Sequence, residues 1–243
     1  MPRFFVNNED IDNGKIYISG EDAYHIARSL RMAVGDSVTV SDGEKYEYEC
    51  KLLKIRDELC ECEIISYAEG KSEPPVKITL YMGYPKGDKL EQVVQKAVEL
   101  GVSEIIPFES SRCIKRPKED RREKQIARLN KIAIEAAKQC GRLILPRVLD
   151  TVSFSELVSV MGKGRVLFCY EGEGCISLKE ALSYVKAGDE VSVVIGSEGG
   201  FSESEAESAR ESGALLCNLG PRILRCETAP AYILSAISYQ FEL

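Results

Sequence analysis

Hydrophobic and polar positions follow two different spacings along this chain of 243 residues. In the first 70 residues, short runs with a period of two are separated by Asn, Asp and Gly turns. This period predicts β-strands at 3–6, 15–18, 37–41, 45–55 and 61–66. The stretch 21–30 has helical spacing instead and predicts one short helix. We therefore expect residues 1–70 to form a small β-barrel domain.

A polar segment at 67–75 ends this region. Its last residues, Pro74 and Pro75, continue neither a helix nor a central strand. Beyond it, strands predicted at 76–82, 104–108, 166–170, 191–195 and 214–219 alternate with helices that begin near Lys89, Glu119, Ser155, Leu178, Ser202 and Thr228. This alternation predicts an α/β domain over 71–243, with a mostly parallel sheet and helices on both faces.

The first candidate ligand loop follows the strand at 191–195. It contains Gly196, Gly199 and Gly200, and the pair Ser202 and Glu205 then has the capping-box spacing that begins a helix. The alternative is that these glycines only provide the positive φ angles of tight turns. The pattern of strand, glycine-rich loop and helix is nevertheless typical of ligand sites in α/β sheets.

The second candidate loop follows the strand at 214–219. It begins at Gly220-Pro221 and leads to Thr228, the predicted N-cap of a closing helix. Because both loops follow strands of one parallel sheet, we expect them side by side at its carboxyl edge. Tyr170 and Glu171 end another predicted strand, and we expect them at the rim of the same pocket.

The two loops lack the common nucleotide motifs. Neither G-x-G-x-x-G nor G-x-x-x-x-G-K-[ST] is present. Glu198 lies in the first loop, and Ile223 and Leu224 make the second loop apolar, so a polyphosphate would meet a carboxylate with little compensating charge. We predict a ligand with an adenine-like ring and few phosphates.

Charge is distributed unevenly. The whole chain has a formal net charge of −7, yet residues 112–147 hold twelve basic and four acidic residues. Such asymmetry favours an anionic partner such as RNA. The alternative is a solvated helix face on which charges of both signs pair with each other.

Composition excludes several classes of protein. No apolar run approaches the length of a membrane span, and no signal-peptide pattern is present, so we expect a cytoplasmic protein without a membrane partner. The nine cysteines include no C-x-x-C pair and predict reduced, mostly buried thiols. With His25 as the single histidine, we predict no metal site.

Two segments near the C-terminus, VVIGSEGGFSESE from Val193 and LGPRILRCETA from Leu219, carry a family resemblance. Together with RFF at 3–5, HIARSLRMAVGD at 25–36, KLEQVVQKAVELGVSEIIPFESSRC at 89–113 and EAAKQCGR at 135–142, they resemble the RsmE family of 16S ribosomal RNA (uracil-N3) methyltransferases, in the SPOUT class. The resemblance covers nearly the whole chain. Ser197 departs from it, since the family usually has proline there.

The resemblance implies a trefoil-knotted sheet that binds S-adenosylmethionine, preceded by a PUA-like or OB-like RNA-binding barrel, in a homodimer. The substrate would be 16S ribosomal RNA or the small ribosomal subunit. The expected cofactor contacts are Tyr170, Glu171, Ile195, Gly196, Glu198, Gly199, Gly200, Leu219, Gly220, Ile223, Leu224, Arg225, Thr228 and Ala229. The expected RNA contacts are Arg3, His25, Arg28, Arg31, Arg112, Lys115, Arg116 and Arg142. For His25, packing or capping of the helix 21–30 is the alternative.

The chemistry of uracil N3 selects three candidate catalytic residues. An imide N–H is a weak acid comparable to a phenol, whose pKa is about 10, so ionising it at pH 7 costs roughly 4 kcal/mol. The forked donors of Arg225 suit negative charge on the uracil oxygens. Glu227 or Glu135 would accept the proton. Alternatively, Arg225 and Glu227 form a structural ion pair, and Glu135 only anchors its helix.

Two other functions remain open on the sequence. The loops would bind a nucleotide for phosphoryl chemistry, although no P-loop lysine is present. Alternatively, the chain is an RNA-binding factor for ribosome assembly with a vestigial pocket, although neither loop shows a deletion.

Overall fold

The structure of the protein, a computed structural model, describes residues 1–114, 121–161 and 164–243 and contains two compact units. One unit consists of residues 1–73 and 137–145, and the other of residues 74–136 and 146–243. The segment 137–145 therefore belongs to the first unit, although it follows 63 residues that belong to the second unit. No local pattern in the sequence indicates this.

The first unit is built on one sheet. In the described part of the chain its strands are β1 (Arg3–Phe5), β2 (Ile11–Asp12), β3 (Lys15–Ser19), β4 (Ser37–Ser41), β5 (Tyr46–Ile55) and β6 (Leu59–Glu69), in the spatial order β1-β4-β5-β6-β3-β2. Inward-facing residues such as Phe4, Ile16 and Leu52 form its core. The strand positions predicted from alternation are confirmed. Within the described residues the pairings do not join β1 to β2, so the sheet differs from a closed barrel.

A short helix interrupts this sheet between β3 and β4, as the sequence predicts. It comprises α1 (Gly20–Tyr24) and a π-helical turn, His25–Ser29. The side chain of Ile26 is buried in the core, whereas His25, Arg28 and Arg31 are exposed. Arg28 forms an ion pair with Asp57 at 2.6 Å.

Arg142 and Arg3, two of the predicted RNA contacts, bond to groups inside the first unit. The Arg142 side chain is 4% exposed, and its Nη2 donates to Glu73 Oε2 at 2.6 Å. Its Nε donates to Glu73 Oε1 at 2.9 Å. Arg3 pairs with Glu47 at 2.7 Å and donates to the carbonyl of Arg142. The burial of Arg142 argues against its predicted contact with RNA, because its Nε and Nη2 donors already bind a carboxylate.

Replacing Arg142 with methionine should destabilise the first unit. Glu73 would keep the backbone N–H of Leu143 but lose its charged partner, and leaving a largely buried carboxylate without that partner costs about 1–3 kcal/mol. Urea unfolding, followed by circular dichroism, measures this loss. The matched control is Arg28→Met, where solvent screens the exposed pair and the unfolding midpoint should stay nearly unchanged. Equal midpoints for the two variants would contradict the structural role of Arg142.

The second unit is an α/β sandwich around a parallel sheet. Its described strands are β7 (Lys77–Gly83), β8 (Glu104–Glu109), β9 (Arg147–Val148), β10 (Val152–Ser153), β11 (Arg165–Cys169), β12 (Ile176–Ser177), β13 (Glu190–Ile195) and β14 (Leu215–Asn218). Their order is β10-β8-β7-β13-β11-β14-β12, with β9 also paired to β8. All pairings among these described strands are parallel, which confirms the α/β prediction.

The later helices begin at or next to the positions that the sequence predicts, wherever the structure describes the predicted start. They are α2 (Lys89–Glu99), α3 (Arg122–Cys140), α4 (Phe154–Val160), α5 (Leu178–Ser183), α6 (Glu203–Glu211) and α7 (Ala229–Phe241). Ser202 caps α6 in a complete capping box with Glu205. Thr228 is the N-cap of α7, but within the described residues its side chain makes no capping hydrogen bond. The predicted start of α3 at Glu119 lies outside the described residues.

The described residues contain no helix with the length and apolar character needed to cross a membrane. They also contain no group of three or more histidine, cysteine or acidic side chains suited to hold a metal ion.

Candidate active site

The loops after β11, β13 and β14 line one cavity of about 960 Å³. These three strands are neighbours in the sheet, in the order β13-β11-β14, so their carboxyl ends lie side by side. We call 196–201 after β13 the first loop and 219–227 after β14 the second loop. The two loops therefore meet in a single pocket at the carboxyl edge of the sheet.

Most of the residues predicted to contact a cofactor line this cavity. Thr228 does not line it and instead precedes the first residue of α7. The predicted residues on the lining are Tyr170, Glu171, Ile195, Gly196, Glu198, Gly199, Gly200, Leu219, Gly220, Ile223, Leu224, Arg225 and Ala229. The cavity is also lined by Lys89, Arg112, Ser197 and Arg222. Among these four, the sequence predicts a site role for Arg112 only.

The first loop is fixed at both ends by the core of the second unit. Phe201 is buried, and its ring centroid lies 4.2 Å from that of Phe168 on β11 and 6.0 Å from that of Phe108 on β8. The N–H of Gly200 donates to the carbonyl of Ser197, which closes a turn. The hydroxyl of Ser197 is buried without a hydrogen-bond partner among the described residues. A rigid turn with exposed backbone and one unused hydroxyl fits a ligand held mainly by main-chain contacts.

Lys89 joins the two loops electrostatically. Its Nζ lies 3.0 Å from Glu198 Oε1 and 3.1 Å from Glu227 Oε2. The two carboxylates raise the pKa of Lys89. Burial alone would raise the pKa of Glu198, but Lys89 and the backbone N–H of Lys86 hold it below its usual range. A backbone hydrogen bond, opposed by partial burial, and the contact with Lys89 lower the pKa of Glu227. Both carboxylates are therefore ionised at neutral pH.

Cys226 is a neutral thiol in this site. Burial raises its pKa to about 12. Its Sγ lies 3.3 Å from Glu227 Oε2, to which it donates. A thiol of this kind is a poor nucleophile at neutral pH, because the thiolate is the reactive form. The chemistry of the cavity therefore rests on its charged groups.

Three exposed arginines, Arg112, Arg222 and Arg225, also line the cavity. Among residues 1–114, 121–161 and 164–243, neither Arg222 nor Arg225 forms an ion pair. Within the described part of the chain Glu227 pairs with Lys89 and no ion pair joins it to Arg225, which argues against the alternative of a structural pair. The forked donors of Arg225 are thus available to a ligand.

Arg112 is held near the first loop by its neighbours. The N–H of Ser111 donates to the buried carboxylate of Glu205 at 2.7 Å. Arg112 Nη1 lies 3.5 Å from the carbonyl oxygen of Gly199. Glu205 therefore serves both the cap of α6 and the loop that carries Arg112.

The remaining predicted site residues lie elsewhere or are not described. Glu135 is exposed on α3 and does not line the cavity. His25, Arg28 and Arg31 are exposed on the first unit. Lys115 and Arg116 lie outside the described residues.

Replacing Gly199 with valine should weaken binding of the expected cofactor, S-adenosylmethionine. A Cβ at this position would lie 2.7 Å from the carbonyl oxygen of Arg112, so either the first loop or the loop after β8 must move. Overpacking of this kind costs about 1–3 kcal/mol, which corresponds to a rise in Kd of roughly 5- to 150-fold. Calorimetric titration measures the Kd. Wild-type affinity in Gly199→Val would contradict the expectation.

Comparison with known proteins finds family models that match both the N-terminal and the C-terminal part of the chain. A family model described as an RNA methyltransferase domain matches residues 72–238, and one described as an RNA methyltransferase PUA domain matches residues 18–65. Ribosomal RNA small subunit methyltransferase E of Bacillus subtilis is 38% identical, over 100% of this chain and 98% of that protein. The protein of the same name from Aquifex aeolicus is 35% identical over 78% of this chain and 80% of its own length.

A solved structure supports the comparison at the level of the fold. The ribosomal RNA small subunit methyltransferase E of Neisseria gonorrhoeae, bound to S-adenosyl methionine, superposes with a TM-score of 0.87 at 30% identity and covers 99% of this chain and 98% of its own. The match includes the PUA domain and the parallel sheet whose loops form the cavity. By sequence, by fold and by the extent of the match, the chain belongs to the ribosomal RNA small subunit methyltransferase E family.

Proposed function

We propose that this protein transfers a methyl group from S-adenosylmethionine to N3 of a uridine in 16S ribosomal RNA. The observation that carries the proposal is the single cavity between the two loops, which has exposed backbone, two ionised carboxylates and arginines without ion-pair partners among the described residues. Family membership supplies the cofactor class, and the relatives' names supply the substrate class. The sequence motifs of phosphoryl transfer are absent, which argues against nucleotide chemistry.

The cofactor fits the first and second loops. When bound, S-adenosylmethionine would supply the methyl group from its sulfonium centre, where the bond from sulfur to the methyl carbon breaks and a neutral thioether remains as the leaving group. In the proposal, the backbone of Gly196, Gly199 and Gly200 contacts it from one side. Leu219, Leu224 and Ala229 contact it from the other side, together with Tyr170 and Glu171 at the rim.

The chain's own groups handle the proton of uracil N3. In the proposal, the Glu227 carboxylate accepts this proton, and the electron pair left on N3 forms the new bond to the methyl carbon. Arg225 donates to a uracil oxygen and stabilises the negative charge that develops there. Glu227 is preferred to Glu135 because Glu227 lines the cavity and Glu135 does not.

Both units contribute to RNA binding in the proposal. Residues 1–70 form the RNA-binding domain and residues 71–243 the methyltransferase domain. His25, Arg28 and Arg31 are candidate contacts because they are exposed near one helix. Arg112 and Arg222 are candidates because they line the cavity that the base must enter. Lys115 and Arg116 remain candidates from the sequence alone.

We extend the proposal to a trefoil knot. Strand β14 lies between β11 and β12, which are consecutive in the chain and are joined by residues 170–175. Insertion of a later strand between two earlier consecutive ones is the arrangement that such a knot requires. Residues 170–172 and the second loop line the same cavity, which supports the proposal.

A homodimer is the other extension. Ile223 in the second loop is 81% exposed, and Tyr232 and Tyr239 are exposed along α7, with Tyr239 74% exposed. Exposed apolar side chains on a ligand loop and on the helix that follows it suit an interface between two copies of the chain. Sedimentation equilibrium tests it, and a purely monomeric protein would contradict it.

Labelled methyl incorporation tests the function itself. Purified protein would be incubated with methyl-labelled S-adenosylmethionine and one of two substrates from cells lacking the protein. One reaction would contain free 16S ribosomal RNA, and the other would contain small subunits. The modified position would then be mapped by mass spectrometry. Incorporation at N3 of one uridine is the expected result. RNA binding without incorporation into either substrate would favour the assembly factor, and ATP binding without S-adenosylmethionine binding would favour phosphoryl chemistry.

A further inference from the structure

Lys89 lines the cavity, and the sequence motif that begins with it, at 89–113, does not by itself give it a role. It is the first residue of α2, a helix that contributes no other lining residue among those described. Its ammonium contacts Glu198 of the first loop and Glu227 of the second loop, at 3.0 and 3.1 Å. One side chain from a third element thus joins the two loops that form the pocket.

These contacts are partly shielded from solvent. The side chains of Lys89, Glu198 and Glu227 are 32%, 27% and 19% exposed. The backbone N–H of Lys86, which lies shortly before Lys89 in the chain, donates to Glu198 Oε1 at 3.1 Å. The thiol of Cys226 and the ammonium of Lys89 both contact Oε2 of Glu227, which restricts the orientation of that carboxylate. The cluster therefore links α2 to both loops through groups of limited freedom.

Removing the ammonium would leave two carboxylates in one site. The charged groups around Glu227 are Lys89 from α2, Glu198 from the first loop and Arg225 in its own loop, with the neutral thiol of Cys226 beside it. Two nearby carboxylates without a cation repel each other, and one of them then binds a proton more readily. A protonated or displaced Glu227 does not accept the proton of uracil N3. The geometry thus gives Lys89 an effect on the reaction without requiring it to touch the substrate.

We propose that Lys89 is a positioning residue of the methyl-transfer reaction, which orients Glu227 toward uracil N3 and holds the two loops together around the cofactor. This inference rests on the proposed function, in which Glu227 accepts the proton. It adds α2 to the elements that build the active site. It also explains why a carboxylate in the first loop, which would oppose an anionic ligand, is present: Glu198 holds Lys89 in place.

The test compares Lys89→Gln with Lys89→Arg in the full-length protein. In Lys89→Gln, kcat on the methylated RNA substrate should fall by about tenfold or more, as expected for impaired general-base catalysis. The acidic limb of its pH–rate profile should move to higher pH, because Glu227 loses the cation that lowers its pKa. Lys89→Arg should restore most of kcat and return the acidic limb toward its wild-type position. Lys96→Gln, an exposed lysine on the same helix, is the control and should behave as wild type.

A double-mutant cycle separates positioning from a general loss of structure. In a Glu227→Gln background, Lys89→Gln should lower kcat by less than twofold further, because the residue it positions is already absent. A full additional loss there, or a wild-type kcat and pH profile in Lys89→Gln alone, would overturn the inference. A failure of the wild-type protein to methylate RNA would instead overturn the proposed function, whereas calorimetry with S-adenosylmethionine would still report on the joined loops.

Discussion

Replacement of Arg225 by alanine is expected to lower the single-turnover rate of methyl transfer by roughly 10²- to 10³-fold, the usual effect of losing one donor to a developing oxyanion. Arg225 lines the cavity, and within the described residues its guanidinium forms no ion pair. Its donors are therefore free to bind the uracil oxygens as N3 loses its proton. The affinity for S-adenosylmethionine should change little, since the loops hold the cofactor mainly through backbone.

Single-turnover assays at saturating cofactor measure this effect without interference from product release. Arg147→Ala is the matched control. Arg147 is also an exposed arginine of the second unit. It lies on β9 beside the first residue of β8, at the amino edge of the sheet and away from the cavity. An unchanged rate in Arg225→Ala, or an equal loss in both variants, would contradict the role assigned to Arg225.

Glu227→Gln is expected to reduce kcat by about 10²- to 10⁴-fold at neutral pH, the range typical of a lost general base. Glutamine keeps the size of the side chain and an oxygen that accepts from Lys89, so the two loops should remain joined. Its amide does not accept a proton. The rate of this variant should recover as pH rises toward about 10, because uracil then ionises without a base. Methylation rates measured from pH 6 to 10 on the same RNA test both expectations.

Glu135→Gln serves as the comparison variant for this experiment. The sequence alone favours Glu227 and Glu135 equally as proton acceptors, but only Glu227 lines the cavity. Glu135→Gln should therefore retain a rate within about twofold of wild type, a difference under 0.5 kcal/mol. If Glu135→Gln is inactive and Glu227→Gln is active, the proton acceptor has been assigned to the wrong residue.

Local signals in the sequence predict the elements of the fold well. Alternation places the strands of the first unit, and the pair Ser202 and Glu205 places the start of α6, because both depend on residues close in sequence. Gly101 has φ +89° and follows the C-cap Leu100 of α2, the position at which glycine commonly ends a helix. The two loops are also predictable, since consecutive parallel strands deliver their ends to one edge of a sheet.

Local sequence patterns do not predict contacts between residues that are distant in the sequence. Lys89 precedes Glu198 by 109 residues in the chain, and no periodicity connects them. For Arg142 the sequence suggests a contact that the structure does not favour. This residue adds to a basic stretch in the sequence but is buried against Glu73 in the structure. A count of charges along the chain therefore overestimates the surface that RNA would meet. Burial decides which charges remain available.

The return of residues 137–145 to the first unit sets the order in which the protein can fold as it is synthesised. The Ser41 hydroxyl donates to the carbonyl of Leu143, and Glu73 binds Arg142, so residues 1–73 lack these partners until residue 145 has been made. At about 5–20 residues per second, the 72 residues from 74 to 145 delay completion by roughly 4–14 s after residue 73. A fragment truncated at residue 73 would lack the partners that Ser41 and Glu73 have in residues 137–145, so expression of a stable N-terminal unit alone requires that this segment be supplied through a redesigned connection.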